Sequence, residues 1–308
     1  MGTVGSRLAP AHALMHHYHI VDAHHHLWQL DAVHYPWLEA RGQQRFFGDP
    51  TPIQRDYLPA DFQADWAGLP IDACVHVQVG AADGLRETRW LDEVARMCGI
   101  PSALVAFADL TADDFAQQVE AQLSASVLVR GVRQIIGRHP TEDHGTRSAQ
   151  LLDHPRFLPA LEQLAKRGLS FDLQLTSATW ARAADVLSEV PSLKVALCHA
   201  GSPWDQTPAG MRSWRAALKR FAALPELSVK LSGLGMFAHD WRPETLAPVV
   251  AGLFETFPAD RIMWGSNFPV DKLYRSYRAL FEAVESLVPE ESRRHVFGAT
   301  ARRFYRLS

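Results

Sequence analysis

Short apolar runs rich in β-branched residues alternate with amphipathic stretches along the chain. Positions such as Leu91, Val94 and Ala95 follow the spacing of a helix face. The runs themselves are nearly continuous in apolar residues, as expected for parallel strands buried on both faces. They lie at 20–23, 73–79, 103–108, 127–135, 169–175, 194–198, 227–231 and 261–264. Strand and helix alternate eight times, which favours an α/β fold with a single (β/α)8 TIM barrel over a doubly wound open sheet.

The domain organisation follows from length and the absence of a linker. A chain of 308 residues is long enough for two ordinary domains or one large barrel. No linker-like segment divides it, so we expect a flexible tail over 1–17 and one barrel domain over 18–308. The tail does not read as a signal peptide, and no apolar run is long enough to cross a bilayer. We therefore expect a cytoplasmic protein.

Charge and composition narrow the class of partner. The formal net charge is −3, and the basic residues are scattered rather than clustered, which argues against nucleic acid. We expect a small-molecule substrate and no membrane partner. No feature marks an interface, so a homodimer stays open as an alternative. The three cysteines, Cys74, Cys98 and Cys198, lie in apolar segments without a Cys-x-x-Cys pair, and we predict buried free thiols.

Candidate chemistry lies where the predicted strands end, because barrel enzymes carry their sites at the carboxyl ends of the strands. His24 and His26 follow the first run, and their i, i+2 spacing lets both imidazoles face one metal ion or substrate while His25 faces away. A hydrogen-bonded structural role is the alternative. The other polar residues at these ends are Gln78, Asp109, Arg130, Arg133, Asp172, Gln174, His199, Lys230, Ser232, Ser266 and Asn267.

Several of these residues suit substrate binding. Arg130 and Arg133 are three residues apart, so one straight strand cannot point both into a pocket. An inward guanidinium would suit a carboxylate or a developing oxyanion, and a salt bridge at the rim is the alternative. Gln78 either donates to a substrate carbonyl or caps its strand. Ser232 and Ser266 lack the Gly-x-Ser-x-Gly setting of a nucleophile, which leaves them as supporting donors.

The long loop over 27–58 is rich in aromatic rings. Loops of this length are often functional lids, and this one would lie over the barrel mouth. We expect Trp28 and its neighbours to contact a flat, partly apolar or sugar-like substrate, or simply to cover the barrel rim. The rings are those of Trp28, His34, Tyr35, Trp37, Phe46 and Phe47, with Trp204 and Trp241 in later loops.

A series of motifs then appears in a fixed order. They are VDAHHHLW at 21–28, VQ at 77–78, ETRWL at 87–91, RGVRQ at 130–134, CHAGSP at 198–203, KLSGL at 230–234, MWGSNFPV at 263–270 and RFY at 303–305. With these motifs the chain resembles the amidohydrolase superfamily, specifically the amidohydrolase-2 branch that contains sugar-lactone and dicarboxylate-lactone hydrolases. The resemblance covers nearly the whole chain.

This resemblance implies a distorted barrel in which histidines and one acid surround the scissile carbonyl. The implied catalytic residues here are His24, His26, His199 and Asn267. Asn267 departs from the family, which usually has an aspartate base at this position, and a neutral amide cannot take up a proton. Either another group supplies the base, or the reaction differs, or catalysis has been lost. Asp271 is a candidate substitute acid, with a solvated loop aspartate as the alternative.

The resemblance also raises the question of metal. Binuclear members carry a lysine or glutamate on strand 4 and a histidine on strand 5, where this chain has arginines and Gln174, so a two-metal centre is not expected. One Zn²⁺ or Mn²⁺ could be held by His24, His26 and His199. Related lactonases work without a tightly held metal, and the loss of an anionic ligand at Asn267 favours that alternative of no essential metal.

The function expected from these residues is hydrolysis of a small cyclic ester of a carboxylated or sugar-derived metabolite. Water would attack within a histidine-lined pocket. A decarboxylase or a lactone isomerase on the same scaffold is the alternative enzyme, since fold does not settle reaction. A non-catalytic metabolite-binding barrel is the alternative from another class, motivated by Asn267.

Overall fold

The central sheet contains eight parallel strands whose spatial order follows the chain. The structure is a computed structural model that describes residues 18–139 and 148–308. The strands are β1 (Ile20–His25), β2 (Ile71–Val77), β3 (Ala103–Ala106), β4 (Val129–Ile135), β5 (Ser170–Gln174), β6 (Val195–Leu197), β7 (Leu227–Leu231) and β8 (Ile262–Trp264). All eight predicted strands are present, and most of their ends differ from the prediction by one or two residues. The tail predicted over 1–17 lies outside the described residues.

Helices follow the strands and cover the outside of the sheet. Those in the described residues are α1 (Pro36–Glu39), α2 (Pro59–Asp65), α3 (Gly84–Cys98), α4 (Phe115–Ala125), α5 (Phe157–Lys166), α6 (Trp180–Ser188), α7 (Pro208–Ala222), α8 (Pro243–Phe254), α9 (Tyr277–Leu287), α10 (Glu290–Arg294) and α11 (Thr300–Tyr305). Local sequence sets their ends. The Asp83 carboxylate accepts the first free N–H groups of α3, and Gly99 ends it in a left-handed conformation with φ of 75°. The predicted (β/α)8 barrel is confirmed.

Two apolar cores hold the barrel together. The larger one packs the helices against the outer face of the sheet. The smaller one fills the barrel interior with short side chains such as Val21, Ala23 and Val75, and the rings of Phe304 and Tyr305 from α11 close it. Because the interior is filled in this way, the chemistry is confined to the opposite, carboxyl-terminal end.

A buried ion pair crosses this interior. Lys230 Nζ on β7 lies 2.7 Å from Asp172 Oδ2 on β5, and both side chains are fully buried. The Tyr305 hydroxyl donates to the same carboxylate oxygen at 2.7 Å, and the Ser170 hydroxyl donates to Oδ1 at 3.2 Å. Each charge therefore has a partner, which a charge in a low-dielectric interior requires.

The carboxylate of Asp22 joins the last strand to the first. It accepts the backbone N–H groups of His24 at 3.1 Å and Ser266 at 2.9 Å through Oδ1, and the Tyr277 hydroxyl at 2.9 Å through Oδ2. Burial raises the pKa of Asp22 to about 6 despite these bonds. The side chain thus ties β1 to the segment after β8 and to α9.

Main-chain bonds complete this seam between β8 and β1. The Asn267 N–H donates to the His24 carbonyl at 2.7 Å, and the His26 N–H donates to the Phe268 carbonyl at 2.8 Å. Gly265 permits the close approach, since a Cβ there would lie 2.7 Å from the Cβ of His24. The residues that join the two strands are therefore those of the candidate site.

One prediction about the cysteines is wrong. Cys74 and Cys198 are buried as predicted, but Cys98 is exposed. It is the last residue of α3, directly before the left-handed turn at Gly99. Within residues 18–139 and 148–308, no helix is both long and apolar enough to span a bilayer.

Candidate functional site

A cavity of about 210 Å³ opens at the carboxyl ends of the strands. Its polar wall comes from strand ends, and its outer wall comes from the long loop after β1, with Trp37, Phe46 and Phe47 facing inward. The predicted covering of the barrel mouth by this loop is therefore confirmed for part of its rings. The polar lining residues are His26, Arg45, Arg133, Arg138, Gln174, His199 and Asn267.

Three histidines form a cluster here, of which His26 and His199 line the cavity and His24 lies behind the lining. The ring centroid of His24 lies 4.5 Å from that of His199 and 5.1 Å from that of His26. The register of β1 against β2 shifts between Asp22 and His25. After this irregularity the side chains of His24 and His26 lie on the same side of the strand. His25 lies on the other side, stacked on Phe62 at 4.2 Å. The i, i+2 interpretation of the histidine pair is thus realised in the geometry.

Hydrogen bonds set which imidazole nitrogen is available. His26 Nδ1 lies 2.7 Å from the Val77 carbonyl, which can only accept, so Nδ1 carries the proton and Nε2 keeps its lone pair. His199 Nδ1 lies 3.0 Å from the Ser232 hydroxyl. Both ring nitrogens of His24 are buried and have no partner among the described residues.

Burial and nearby cations keep the cluster neutral. Burial holds the pKa of His199 well below its usual range, and the charges of Arg133 and Lys230 lower it further. The pKa of His24 is lowered by burial and then by Lys230, and that of His26 by burial and then by Arg133. At neutral pH the three rings therefore present free lone pairs rather than positive charge.

Arg133 brings a permanent positive charge to the cavity wall. Its side chain is buried, and it donates to two neutral acceptors, the Gln78 carbonyl and Gln174 Oε1, the second at 3.2 Å. Its Nε has no partner within the described parts of the chain. The nearest acids, Asp172 and Glu87, act on it through space. The guanidinium is held rigidly but is not neutralised by a bound carboxylate.

Asn267 lines the cavity in a constrained position. Its φ of 57° lies in the left-handed region, which asparagine tolerates better than most residues. Its Nδ2 donates to Asp271 Oδ1 at 3.1 Å. Asp271 is fully buried, and burial raises its pKa to about 8 although this hydrogen bond opposes the shift. Asp271 is therefore not a solvated loop residue.

Comparison with known proteins decides the family. The model of the Amidohydrolase family matches residues 21–307. This chain belongs to that amidohydrolase family. The chain is 34% identical over 295 residues to the uncharacterized protein y4mH of Sinorhizobium fredii, a match that covers 94% of this chain and 98% of the relative.

Two further relatives carry more informative names. An L-fucono-1,5-lactonase from Burkholderia ambifaria is 27% identical over 300 residues, covering 93% of this chain and 95% of the relative. The crystal structure of an amidohydrolase from Burkholderia multivorans with bound zinc is 27% identical, with a TM-score of 0.78 over 94% of this amidohydrolase chain and 100% of that one. Both matches extend over essentially the whole barrel.

One predicted substrate-binding residue of this amidohydrolase lies elsewhere. Arg130 sits near the start of β4, where its Nη1 donates to the carbonyls of Val127 and Val129. It lines a different cavity at the amino-terminal end of the barrel, because residues three apart on one strand differ in both height and side. The expectation that Arg130 contacts substrate is therefore corrected.

Three other predicted residues support the cavity from behind its lining. Gln78 Nε2 donates to the Arg133 carbonyl at 3.2 Å, and Ser232 bonds to His199. Trp28 donates its indole N–H to the Arg55 carbonyl at 2.6 Å and packs edge-on against Trp37. None of the three is among the residues that line the cavity, so they position groups that do.

Sequence reasoning missed two arginines of the amidohydrolase site. Arg45 lies in the aromatic loop, where its guanidinium is 5.6 Å from the ring centroid of Trp37, and Arg138 follows β4 by three residues. The rule that barrel sites lie at the carboxyl ends of strands would have found Arg138 if it had included the loop that follows the strand. No sequence signal marks Arg45, because its place depends on how the long loop folds.

The site does not fit a resident divalent ion. Imidazole is a good zinc ligand, yet across residues 18–139 and 148–308 no three His, Cys, Asp or Glu side chains are arranged to hold a metal. The charges of Lys230 and Arg133 act on the same histidines and oppose a dication there. Asn267 is a neutral amide and so adds no anionic ligand. We therefore assign no catalytic step to a metal.

Glu87, on α3 beside the cavity wall, gives a prediction about stability. Its carboxylate accepts the Val79 N–H at 3.3 Å, and burial raises its pKa to about 7. The folded state then binds more protons than the unfolded state between about pH 4.5 and 7, so this group lowers stability as pH rises through that window. At pH 8 we expect Glu87→Gln to unfold at a higher urea concentration than the wild type, with a free energy of unfolding larger by up to about 3 kcal/mol. Near pH 4.5 the two proteins should be equally stable. The exposed Glu93→Gln in the same helix is the control, and a pH-independent difference would contradict the assignment.

Proposed function

We propose that this amidohydrolase opens a small cyclic ester that carries a carboxylate, by attack of water on the ring carbonyl. The observation that carries the proposal is the buried guanidinium of Arg133, which faces a histidine-lined cavity and whose hydrogen-bond partners among the described residues are neutral groups. A buried charge of this kind gains most from an anionic ligand. The L-fucono-1,5-lactonase name of a relative agrees with the reaction type.

The cavity walls suit a ring-shaped substrate. Trp37 and Phe47 meet edge to face at 5.9 Å, and both line the cavity opposite the polar strand ends. Such a wall packs against the face of a planar or sugar-derived ring, while Arg133 and Gln174 take the polar groups of the substrate. The ring is thereby oriented with its carbonyl toward the histidines.

The hydrolytic step uses neutral imidazole as the base. Water would donate one proton toward His199 while its oxygen forms a bond to the lactone carbonyl carbon. The ring C–O bond then breaks, and the proton passes from the imidazolium to the departing alkoxide oxygen, giving an open hydroxy acid. In the absence of substrate the imidazole is a weak base, because burial and then the nearby cations lower its pKa. A bound anion offsets the charge of Arg133 and so raises that pKa when substrate is present.

The donors for the developing oxyanion come from the chain itself. Arg133 is a rigidly held cation that lines the cavity with His26 and His199, and its fork can serve either the substrate carboxylate or the carbonyl oxygen as charge develops. Because the residues present do not fit a divalent ion, we propose that turnover requires no resident metal.

Purified protein should open carboxylated lactones, and the rate should survive chelation. We would assay paired lactones with and without a carboxylate, as isolated, after EDTA, and with added Zn²⁺ or Mn²⁺. The variant Arg133→Met should raise KM for the carboxylated lactone by about 10- to 10²-fold, since a charge-assisted bidentate contact contributes about 1.5–3 kcal/mol. Its effect on the uncharged lactone should be much smaller.

Other outcomes of this assay would contradict the proposal. Activity that appears only with added metal would make the histidines ligands and would overturn the metal-free mechanism. Release of CO₂ from aromatic acids, without lactone opening, would favour a decarboxylase. If Arg133→Met lowered activity equally on both lactones, the proposal that the substrate carries a carboxylate would be wrong.

A further inference from the structure

We propose that Asp271 is a positioning residue that fixes the side-chain amide of Asn267, so that the amide oxygen faces the cavity and accepts a hydrogen bond from the attacking water. This inference rests on the proposed hydrolysis and adds a residue to it. It assigns a role to a buried carboxyl that lies outside the cavity lining and that the mechanism above does not use.

Two hydrogen bonds connect the pair. Asn267 Nδ2 donates to Asp271 Oδ1 at 3.1 Å, and the Asp271 backbone N–H donates to the Asn267 carbonyl at 3.2 Å. Asn267 is also held from the other side, where its N–H donates to the His24 carbonyl at 2.7 Å. With the backbone fixed at both ends, rotation of the side chain is the only freedom left to the amide.

The chemistry of the carboxyl removes that freedom. A side-chain amide has one donor end and one acceptor end, and a carboxylate can only accept. Nδ2 is the end that turns toward Asp271, which leaves Oδ1 for the cavity. The carbonyl oxygen of a protonated Asp271 can accept from the same NH₂ group, so the observed orientation is compatible with either ionisation state.

Asp271 has few competing partners. Its Oδ2 is buried and has no hydrogen-bond partner among the described residues, although the backbone of Gly235 lies near enough to favour the charged form. The ion pairs found within residues 18–139 and 148–308 do not include it. A buried carboxyl without an ion-pair partner is costly, and the Asn267 amide is the side-chain group that hydrogen-bonds to it among the described residues.

The amide oxygen has a definite use in the reaction. An acceptor directed at water holds one of its protons and directs an oxygen lone pair at the carbonyl carbon. The second proton is then left for His199. A neutral acceptor cannot remove the proton itself, so Asn267 orients the water and His199 takes the proton.

The pair can be tested by exchanging its members. Asp271→Leu should lower kcat by about 10²-fold with KM changed by less than about twofold, because water is misplaced while substrate contacts remain. Asp271→Asn should lose about tenfold, since two amides can pair with either end toward the cavity. Asn267→Asp should lose about 10²-fold, because two buried carboxyls then face each other.

The exchanged variant N267D/D271N decides the matter. The amide introduced at position 271 would donate to the carboxylate introduced at position 267. The other oxygen of that carboxylate would again present an acceptor to the cavity, so kcat should return to within about tenfold of wild type. Ser266→Ala is the matched control for disturbing the loop, because its hydroxyl accepts the nearby Phe268 N–H at 3.0 Å and bonds to the Asp22 carboxylate, whereas the partners of the Asp271 carboxyl among the described residues are Asn267 and Gly235. It should lower the melting temperature with little change in kcat.

Two results would overturn the inference. One is an exchanged variant that melts like the wild type but stays as slow as Asn267→Asp. The other is an unchanged kcat in Asp271→Leu.

A wild type that opens no lactone would instead contradict the proposed function, and the pair can still be tested without turnover. The side-chain amide signal of Asn267 in ¹H–¹⁵N spectra should shift in Asp271→Leu and stay in place in Ser266→Ala. An Asn267 amide signal that Asp271→Leu leaves in place would overturn the inference even in an inactive protein.

Discussion

Replacing His199 by asparagine should lower kcat/KM for lactone opening by about 10²–10⁴-fold, the usual contribution of a positioned general base. His199 lies at a φ of 53°, and asparagine tolerates this left-handed conformation where alanine would be strained. The substitution therefore removes the ring without penalising the backbone. Steady-state kinetics with a lactone identified in the assay above would measure the loss, and circular dichroism would confirm the fold.

Two controls separate chemistry from packing in this experiment. Ser232→Ala removes the hydroxyl 3.0 Å from His199 Nδ1, and it should cost about tenfold because the ring is less well oriented. His25→Leu replaces the histidine on the opposite side of β1, stacked on Phe62, and should leave kcat/KM within about threefold. A loss of only a few-fold in His199→Asn would contradict the role of His199 as base.

Replacing Lys230 by methionine should destabilise the protein by about 3–5 kcal/mol, because it leaves the buried carboxylate of Asp172 without its cation. Methionine has a similar length, so little of the loss would come from a cavity. Urea unfolding followed by tryptophan fluorescence would measure the free energy of unfolding. This loss of stability should be seen without any substrate, because the ion pair lies inside the barrel.

The double variant Lys230→Met with Asp172→Leu tests the cause of this loss. Removing both charges should recover most of the free energy, because an apolar pair of similar volume often replaces a buried ion pair without cost. The Tyr305 hydroxyl, which donates to Asp172 at 2.7 Å, would lose its acceptor, so the recovery should be incomplete by about 1–3 kcal/mol. A double variant no more stable than Lys230→Met alone would show that packing, not charge, determines the effect.

Much of the fold was predictable because it depends on local patterns. Continuous apolar runs and helical spacing are set residue by residue, and they predicted all eight strands and their order. The exposure of Cys98 was not predicted. Helical spacing shows which face of a helix is apolar, but it does not show that α3 ends at Cys98 without a further turn. Where a helix ends relative to its neighbours is a tertiary property.

Site residues were predictable only where their position at the carboxyl end of a strand is enough to bring them to the cavity. His26, Arg133, His199 and Asn267 line the cavity as strand ends do, although their catalytic roles remain predictions. Arg130 failed because the end of the strand at which it lies cannot be read from spacing alone. Partners distant in sequence, such as Asp172 for Lys230, depend on which strands become neighbours across the interior.

The seam between β8 and β1 links the origin of activity to the completion of folding. The main-chain bonds of His24, His26 and Asn267 join β1 to the segment after β8, so closing the barrel at this seam also brings His24 and His26 beside Asn267. A chain that has not closed therefore has no organised site with which to bind or react. For evolution, the consequence is that these positions are constrained twice. New substrate preferences in this barrel should consequently arise from the arginines and rings of the loops, which can change without opening the seam.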